Sequence, residues 1–240
     1  MSADFREIWV YLSASPLAGL TLTLVAYQIG LWIFERFGRR PVLNPVLIAV
    51  LLLAAVLSVT GVEYRTYFEG AQFVHFLLGP ATVALAVPLY NQFHQVRRSA
   101  LAMIVALLVG SAASALTAVA IAWAFGGSMP TLLSLAPKSV TSPIAMGVSE
   151  QIGGLPSLTA VFVILTGIIA ATLGTWVLNL IRVKDWRARG FGMGVAAHGI
   201  GTARALQVNE VAGAFAGLGM GLNGLATAIL LPILYRLIFG

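Results

Sequence analysis

Between Ser99 and Pro137 the chain carries no Asp, Glu, Lys or Arg. The stretches Ile8 to Phe34, Pro41 to Val62, Gly70 to Val96, Ser139 to Ser149, Gln151 to Ile181, Gly190 to Ala203 and Val211 to Tyr235 are free of them as well. A helix needs about 20 mostly apolar residues to cross a bilayer, so most of these runs are long enough to span one. Only 9% of the chain is charged and 59% is hydrophobic, with a mean hydropathy of +0.94. A soluble domain is about 25% charged. The expected class is therefore an all-α, polytopic membrane protein, read as a single transmembrane domain over residues 1–240.

The longest run exceeds one helix and breaks at Gly126-Gly127, which leaves eight hydrophobic segments. Two are atypical, Ser128 to Glu150 and Gly190 to Gln207: both are rich in small and polar residues, and each contains a cation, Lys138 or Arg204. Arginines concentrate at Glu35 to Arg40, His94 to Arg98 and Arg182 to Arg189, loops that the positive-inside rule assigns to the cytoplasm. Three segments separate the last two of these loops, so one of the three must turn back. The proline-punctuated fifth segment is the one expected to do so. The prediction is seven spans plus one re-entrant hairpin, with the N-terminus outside and the C-terminus, near Arg236, inside. Eight true spans is the competing count.

The formal charge of +6 and a pI near 10.2 report this topology and do not point to nucleic acid. The chain has no cysteine, which excludes disulfides, thiolate nucleophiles and Cys-based metal sites. Asp4 and Glu7 before the first apolar run argue against a cleaved signal peptide. Neither phosphate-binding nor hydrolase motifs are present, and His75, His94 and His198 lack metal-ligand spacing. Catalysis, cofactors and metals are therefore not expected.

Sliding the chain by 57 positions aligns Pro80 with Pro137, Gly110 with Gly167 and Leu116 with Leu173, which suggests an inverted repeat with halves 70–126 and 128–181. Secondary transporters are built this way, with the site at the midplane where helices break. Matches of this kind also arise by chance in an Ala-, Leu- and Gly-rich chain.

Three places carry candidate chemistry. Gly79-Pro80 interrupts the third segment; proline removes a backbone donor there, so a half-helix would present the amides around Thr82, unless Pro80 is an ordinary kink. In the fifth segment, Pro137 is expected to break the helix, with Lys138 and the hydroxyls of Ser139, Thr141 and Ser142 at a half-helix start suited to a small carboxylate. A lysine at depth costs ~2.5–3.5 kcal/mol on insertion scales; the alternative is that Lys138 snorkels to the interface. In the seventh segment, Gly199 and Gly201 are expected to break the helix. Thr202 and Arg204 would hold the same anion, with His198 or Glu210 carrying a proton, since imidazole titrates near physiological pH. Simple neutralisation between Arg204 and Glu210 is the blander account. Finally, Gly213, Gly217 and Gly221 form a stripe suited to helix packing or to a homodimer.

The stretches LLGPATVALAVPLY, SLAPKSVTSPIAMGVSEQIGGLPSLTAVFVILTG and AAHGIGTARAL resemble the LrgB/CidB family over nearly the whole chain after Arg40. That family is described as regulating murein hydrolases, paired with small holin-like membrane proteins of the LrgA/CidA type. It is also similar to the membrane domain of the plastid glycolate/glycerate transporter and to a subunit of bacterial pyruvate uptake systems. The resemblance implies transport of a small monocarboxylate, and with the residues above the first expectation is a proton-coupled secondary transporter of the bacterial inner membrane for a 2-hydroxy or 2-keto acid: glycolate, glycerate, lactate or pyruvate. The competing expectations are a holin-like component that controls wall hydrolases and autolysis without transport of its own, and a passive pore.

Overall fold

The structure, a computed structural model, describes residues 16–38, 43–76, 90 and 93–239. Gly79, Pro80 and Thr82 lie outside the described residues. Every regular element among the described residues is a helix. Four of these helices are long and apolar enough to cross a membrane: Leu17–Arg36, Arg97–Ala124, Pro156–Leu180 and Glu210–Ile238.

The chain forms two compact units, Met1–Ala84 and Leu85–Gly240. In the first, α1 (Pro16–Arg36) packs on α2 (Pro45–Thr60) and α3 (Tyr64–Phe76). Asn44 starts α2: its side chain accepts from the amide of Val46 at 2.8 Å, and Pro45 supplies the fixed φ of a first helical residue. Gly61, at φ +69°, ends that helix. Gly19 and Gly30 let α1 approach its neighbours, because a β-carbon at Gly30 would stand 2.6 Å from the Pro45 carbonyl. Thr23 and Tyr67 join α1 to α3 through their hydroxyls, 2.7 Å apart.

The second unit contains α4 (Phe93–Ala124), α5 (Met129–Leu135), α6 (Ser142–Gln151), α7 (Pro156–Leu180), α8 (Trp186–Val208) and α9 (Glu210–Phe239). α4 stops at the Gly126-Gly127 turn, where Gly126 has φ +79°. α5 and α6 are two arms of a broken hairpin. The Leu155 amide donates to Ser134 Oγ at 2.7 Å, and Thr159 Oγ1 donates to the Ser134 carbonyl at 3.0 Å and to Ser149 Oγ at 2.7 Å. Ser134, Ser149 and Thr159 are fully buried, so these bonds satisfy groups that would otherwise be costly inside the fold.

α8 also doubles back. His198 has φ 43° and ψ −134° within it. Beyond that point a β-carbon on Gly201 would meet the Met193 carbonyl at 2.7 Å, eight residues back and about 12 Å away along a straight helix. The first arm lies along α9: β-carbons at Gly190 and Gly194 would run into the carbonyls of Ala212 and Ala216. This small-residue seam is the close approach that glycines allow. It uses glycines of α8 against alanines of α9, beside Gly213 of the expected α9 stripe. Within that stripe Gly213 is covered by Leu206, while Gly221 faces open space.

The seventh segment, expected as a crossing, is folded here into two arms. Met103 and Leu107 pack near Phe215 and Leu222, and Leu116 shares a groove with Leu234, so α4 and α9 run in the same direction. The end of α9 therefore lies at the Gly127 end of this unit, opposite the Arg182–Arg189 corner. A hairpin followed by a long helix thus occurs twice, as α5–α6 with α7 and as α8 with α9, in opposite directions.

Candidate functional site

The two hairpins enter the second unit from opposite ends, and their tips meet halfway along α4, α7 and α9. At the first tip the chain breaks between Leu135 and Ser142. Pro137 does not open a new helix there. The Lys138 amide donates to the Leu135 carbonyl and the Val140 amide to the Pro137 carbonyl, so residues 136–139 form turns. α6 starts later, with Thr141 as its N-cap and Pro143 in its first turn. The expected array of bare amides at Lys138 is absent, since turn bonds already engage that backbone.

The side chains nevertheless converge. Lys138 Nζ donates to Ser114 Oγ of α4 at 2.9 Å and to Ser139 Oγ at 3.1 Å, and the two hydroxyls are 2.9 Å apart. Lys138 is half-buried and Ser139 is buried. The ammonium is thus held inside the unit by two hydroxyls, with no carboxylate among its described partners. Thr141 and Ser142 stand beside this cluster in sequence, both half-buried. Beside it, a groove of about 180 Å³ opens between α4 and α9, lined by Ser111, Ala115, Pro137, Ser139, Val140 and Thr227 among others.

At the second tip the break falls on His198 itself, while Gly199 is half-buried on the returning arm and Gly201 serves the approach of the two arms. A left-handed conformation at a non-glycine residue costs on the order of 1–3 kcal/mol and persists only where the surroundings impose it. Here they do. His198 is buried, its Nε2–H donates to the Val163 carbonyl at 2.9 Å, and its own carbonyl accepts from Thr202 Oγ1 at 2.8 Å. That bond fixes the tautomer and leaves Nδ1 as the atom that gains a proton.

Asn223, at the middle of α9, joins the tips. Its Nδ2 donates to the Ser139 carbonyl at 3.3 Å and to the Val195 carbonyl at 2.9 Å. The residue is 1% exposed and its Oδ1 has no partner among the described residues. A buried acceptor left unpaired costs about 1–3 kcal/mol. Sequence reasoning missed both Ser114 and Asn223. Ser114 is one of several small polar residues on α4, and Asn223 sits among glycines, so neither carried a local signal.

Arg204 is not part of this cluster. The reversal of α8 carries it back toward the α7–α8 corner, where it lines a small cleft with Trp186, Arg189 and Gly190; its Nη1 donates weakly to Gln207 at 3.4 Å. Arg189 at the same corner has partners of its own. It donates to Asn179 Oδ1 and the Val183 carbonyl, and stacks over Trp186. Glu210 is exposed at the first turn of α9, where a carboxylate complements the helix dipole. The fold therefore places Lys138 and Ser139 at one tip and His198 and Thr202 at the other, with Asn223 between them, and places Arg204 and Glu210 elsewhere.

The profile of the LrgB-like family matches residues 23–237. The chain belongs to that family. It is 33% identical over 220 residues to the holin-like protein CidB of Staphylococcus epidermidis, covering 92% of this chain and 96% of that one. It is 32% identical over 219 residues to the antiholin-like protein LrgB of Bacillus cereus, at 91% and 95% coverage. The protein YwbG of Bacillus subtilis is 36% identical over 219 residues, at 91% and 96% coverage. No solved structure matches.

Proposed function

We propose that this chain is a holin-like component of the bacterial cytoplasmic membrane that acts on wall hydrolases and autolysis, together with a small LrgA/CidA-type membrane protein. The observation that carries this reading is the naming of relatives aligned over nearly their full length, one holin-like and one antiholin-like. The arginines at 97–98 and 182–189 orient the second unit with that end in the cytoplasm, and both hairpins then re-enter the bilayer from opposite faces.

A second reading, proton-coupled transport of a small monocarboxylate such as glycolate, glycerate, lactate or pyruvate, is favoured by the Lys138 cluster. A half-buried ammonium held by two hydroxyls at the meeting point of two broken hairpins resembles the midplane sites of secondary transporters. A scaffold needs no such charge. In this reading Lys138 meets the carboxylate, Ser139 and Thr202 the neighbouring oxygen, and His198 the proton.

Purified protein in liposomes separates the two. Saturable uptake of labelled glycolate or pyruvate that responds to an inside-alkaline pH gradient supports transport, and His198→Gln should then exchange substrate without accumulating it. No uptake, combined with altered autolysis in cells lacking the chain, supports the holin-like role.

A further inference from the structure

We infer that Asn223 is a positioning residue that clips the two hairpin tips together, so that the separation of Ser139 from the His198 turn is set by one amide on α9. The inference goes beyond either reading above and requires no particular solute.

Three observations meet here. First, the carbonyls that Asn223 engages belong to different hairpins: Ser139 lies in the α5–α6 break, and Val195 lies three residues before the His198 reversal. Second, the side chain is oriented for this task at its own expense. Both bonds use Nδ2, and Oδ1 is left buried without a donor. Turning the amide over would bring Oδ1 against two carbonyl oxygens, so the observed orientation is the one the tips impose. Third, most of the other contact between this part of α9 and the tips is apolar. Ile144 reaches Gly224, where a β-carbon would stand 3.0 Å from it, and Met220 lies beside Gly199 and Thr202. Apolar contacts of this kind slide, whereas a bifurcated amide fixes register. Deletion of the amide should therefore free the tips to separate while the seam of Gly190 and Gly194 against Ala212 and Ala216 keeps α8 on α9.

The test uses the natural absence of cysteine. Spin labels are placed at Ala136→Cys on the first tip and Ala196→Cys on the second, with Ala112→Cys and Ala228→Cys on α4 and α9 as a control pair. In the otherwise native chain the tip pair should give one narrow distance. Asn223→Leu, which keeps the branching at Cγ and removes both donors, should add a second, longer population for the tip pair and leave the control pair unchanged. Asn223→Ser, which retains one donor, should do so to a smaller degree; if the leucine variant does not purify as folded protein, the serine variant decides. An unchanged tip distance in the folded variants overturns the inference. So does an equal spread in both pairs, because Asn223 would then support only the general packing of the unit.

Discussion

Gly167 of α7 and His198 of α8 approach so closely that a β-carbon on Gly167 would lie 2.8 Å from the imidazole Cε1 and 3.0 Å from Nε2. The absence of a side chain at Gly167 lets Nε2–H reach the Val163 carbonyl, four residues earlier on the same face. Gly167→Ala should push the ring out of this bond and lower thermal stability by about 1–3 kcal/mol, as overpacking does. Thermal denaturation in detergent measures it; Gly192→Ala, which meets open space, is the control and should be close to neutral.

Lys138 and Ser114 give a graded pair. On the transport reading, removing the ammonium takes away a charged donor, worth roughly 1.5–3 kcal/mol, so Lys138→Ala should weaken carboxylate binding about tenfold to a hundredfold. Ser114→Ala removes one neutral partner and should cost less. Titration of labelled pyruvate or glycolate binding to purified protein checks both. Equal affinity in wild type and Lys138→Ala would assign the lysine a structural role.

Topology is testable with single cysteines and an impermeant thiol reagent. Cysteines at Gly127 and Gln151 should label from one face of the membrane, and one at Lys184 from the other. A cysteine at Leu237 should label with the first pair, because α9 runs parallel to α4. Labelling of Leu237 from the Lys184 face would mean that α8 crosses the bilayer.

The seam between α8 and α9 should tolerate no side chain on the first arm. Gly194→Val drives methyl groups into the Ala216 backbone, which cannot turn aside as a flexible side chain would. A loss of at least about 1–3 kcal/mol is expected, read as a fall in melting temperature or in folded yield. Gly221→Val, directed into open space, should be near neutral.

Asp185 begins α8 by accepting from the Arg187 amide at 2.8 Å, and the Arg187 guanidinium bound to it holds its carboxyl below the usual carboxylate value. A depressed carboxyl contributes stability that is present above its unfolded-state pKa and is lost as pH falls through the lower, folded-state value. Acidification below pH 4 should therefore loosen the start of α8, and Asp185→Ala should lose about 0.5–2 kcal/mol at neutral pH. Asp185→Asn, which caps without charge, should retain most of the stability and lose this acid dependence. Hydrogen exchange at residues 187–190 reads the effect locally.

Much of this protein is determined by its sequence alone. The uncharged runs admit only membrane helices, Gly126-Gly127 ends α4, and the spacing of Pro137 and Lys138 marks a break with a charge in it. These features are local: each depends on the solvent around one segment or on the backbone limits of one residue. The reversal at His198 is different. Residues 190–207 read as one small-residue segment, and the break expected at Gly199 and Gly201 carries no direction. The turn is decided where Gly190 and Gly194 meet Ala212 and Ala216, and where Gly201 meets Met193. From it follow the position of Arg204 at the corner, the direction of α9 and the pairing of Ser139 and Val195 under Asn223. A polar side chain in a helix is silent until another segment delivers the carbonyls it will bind, and only tertiary structure brings those carbonyls within reach.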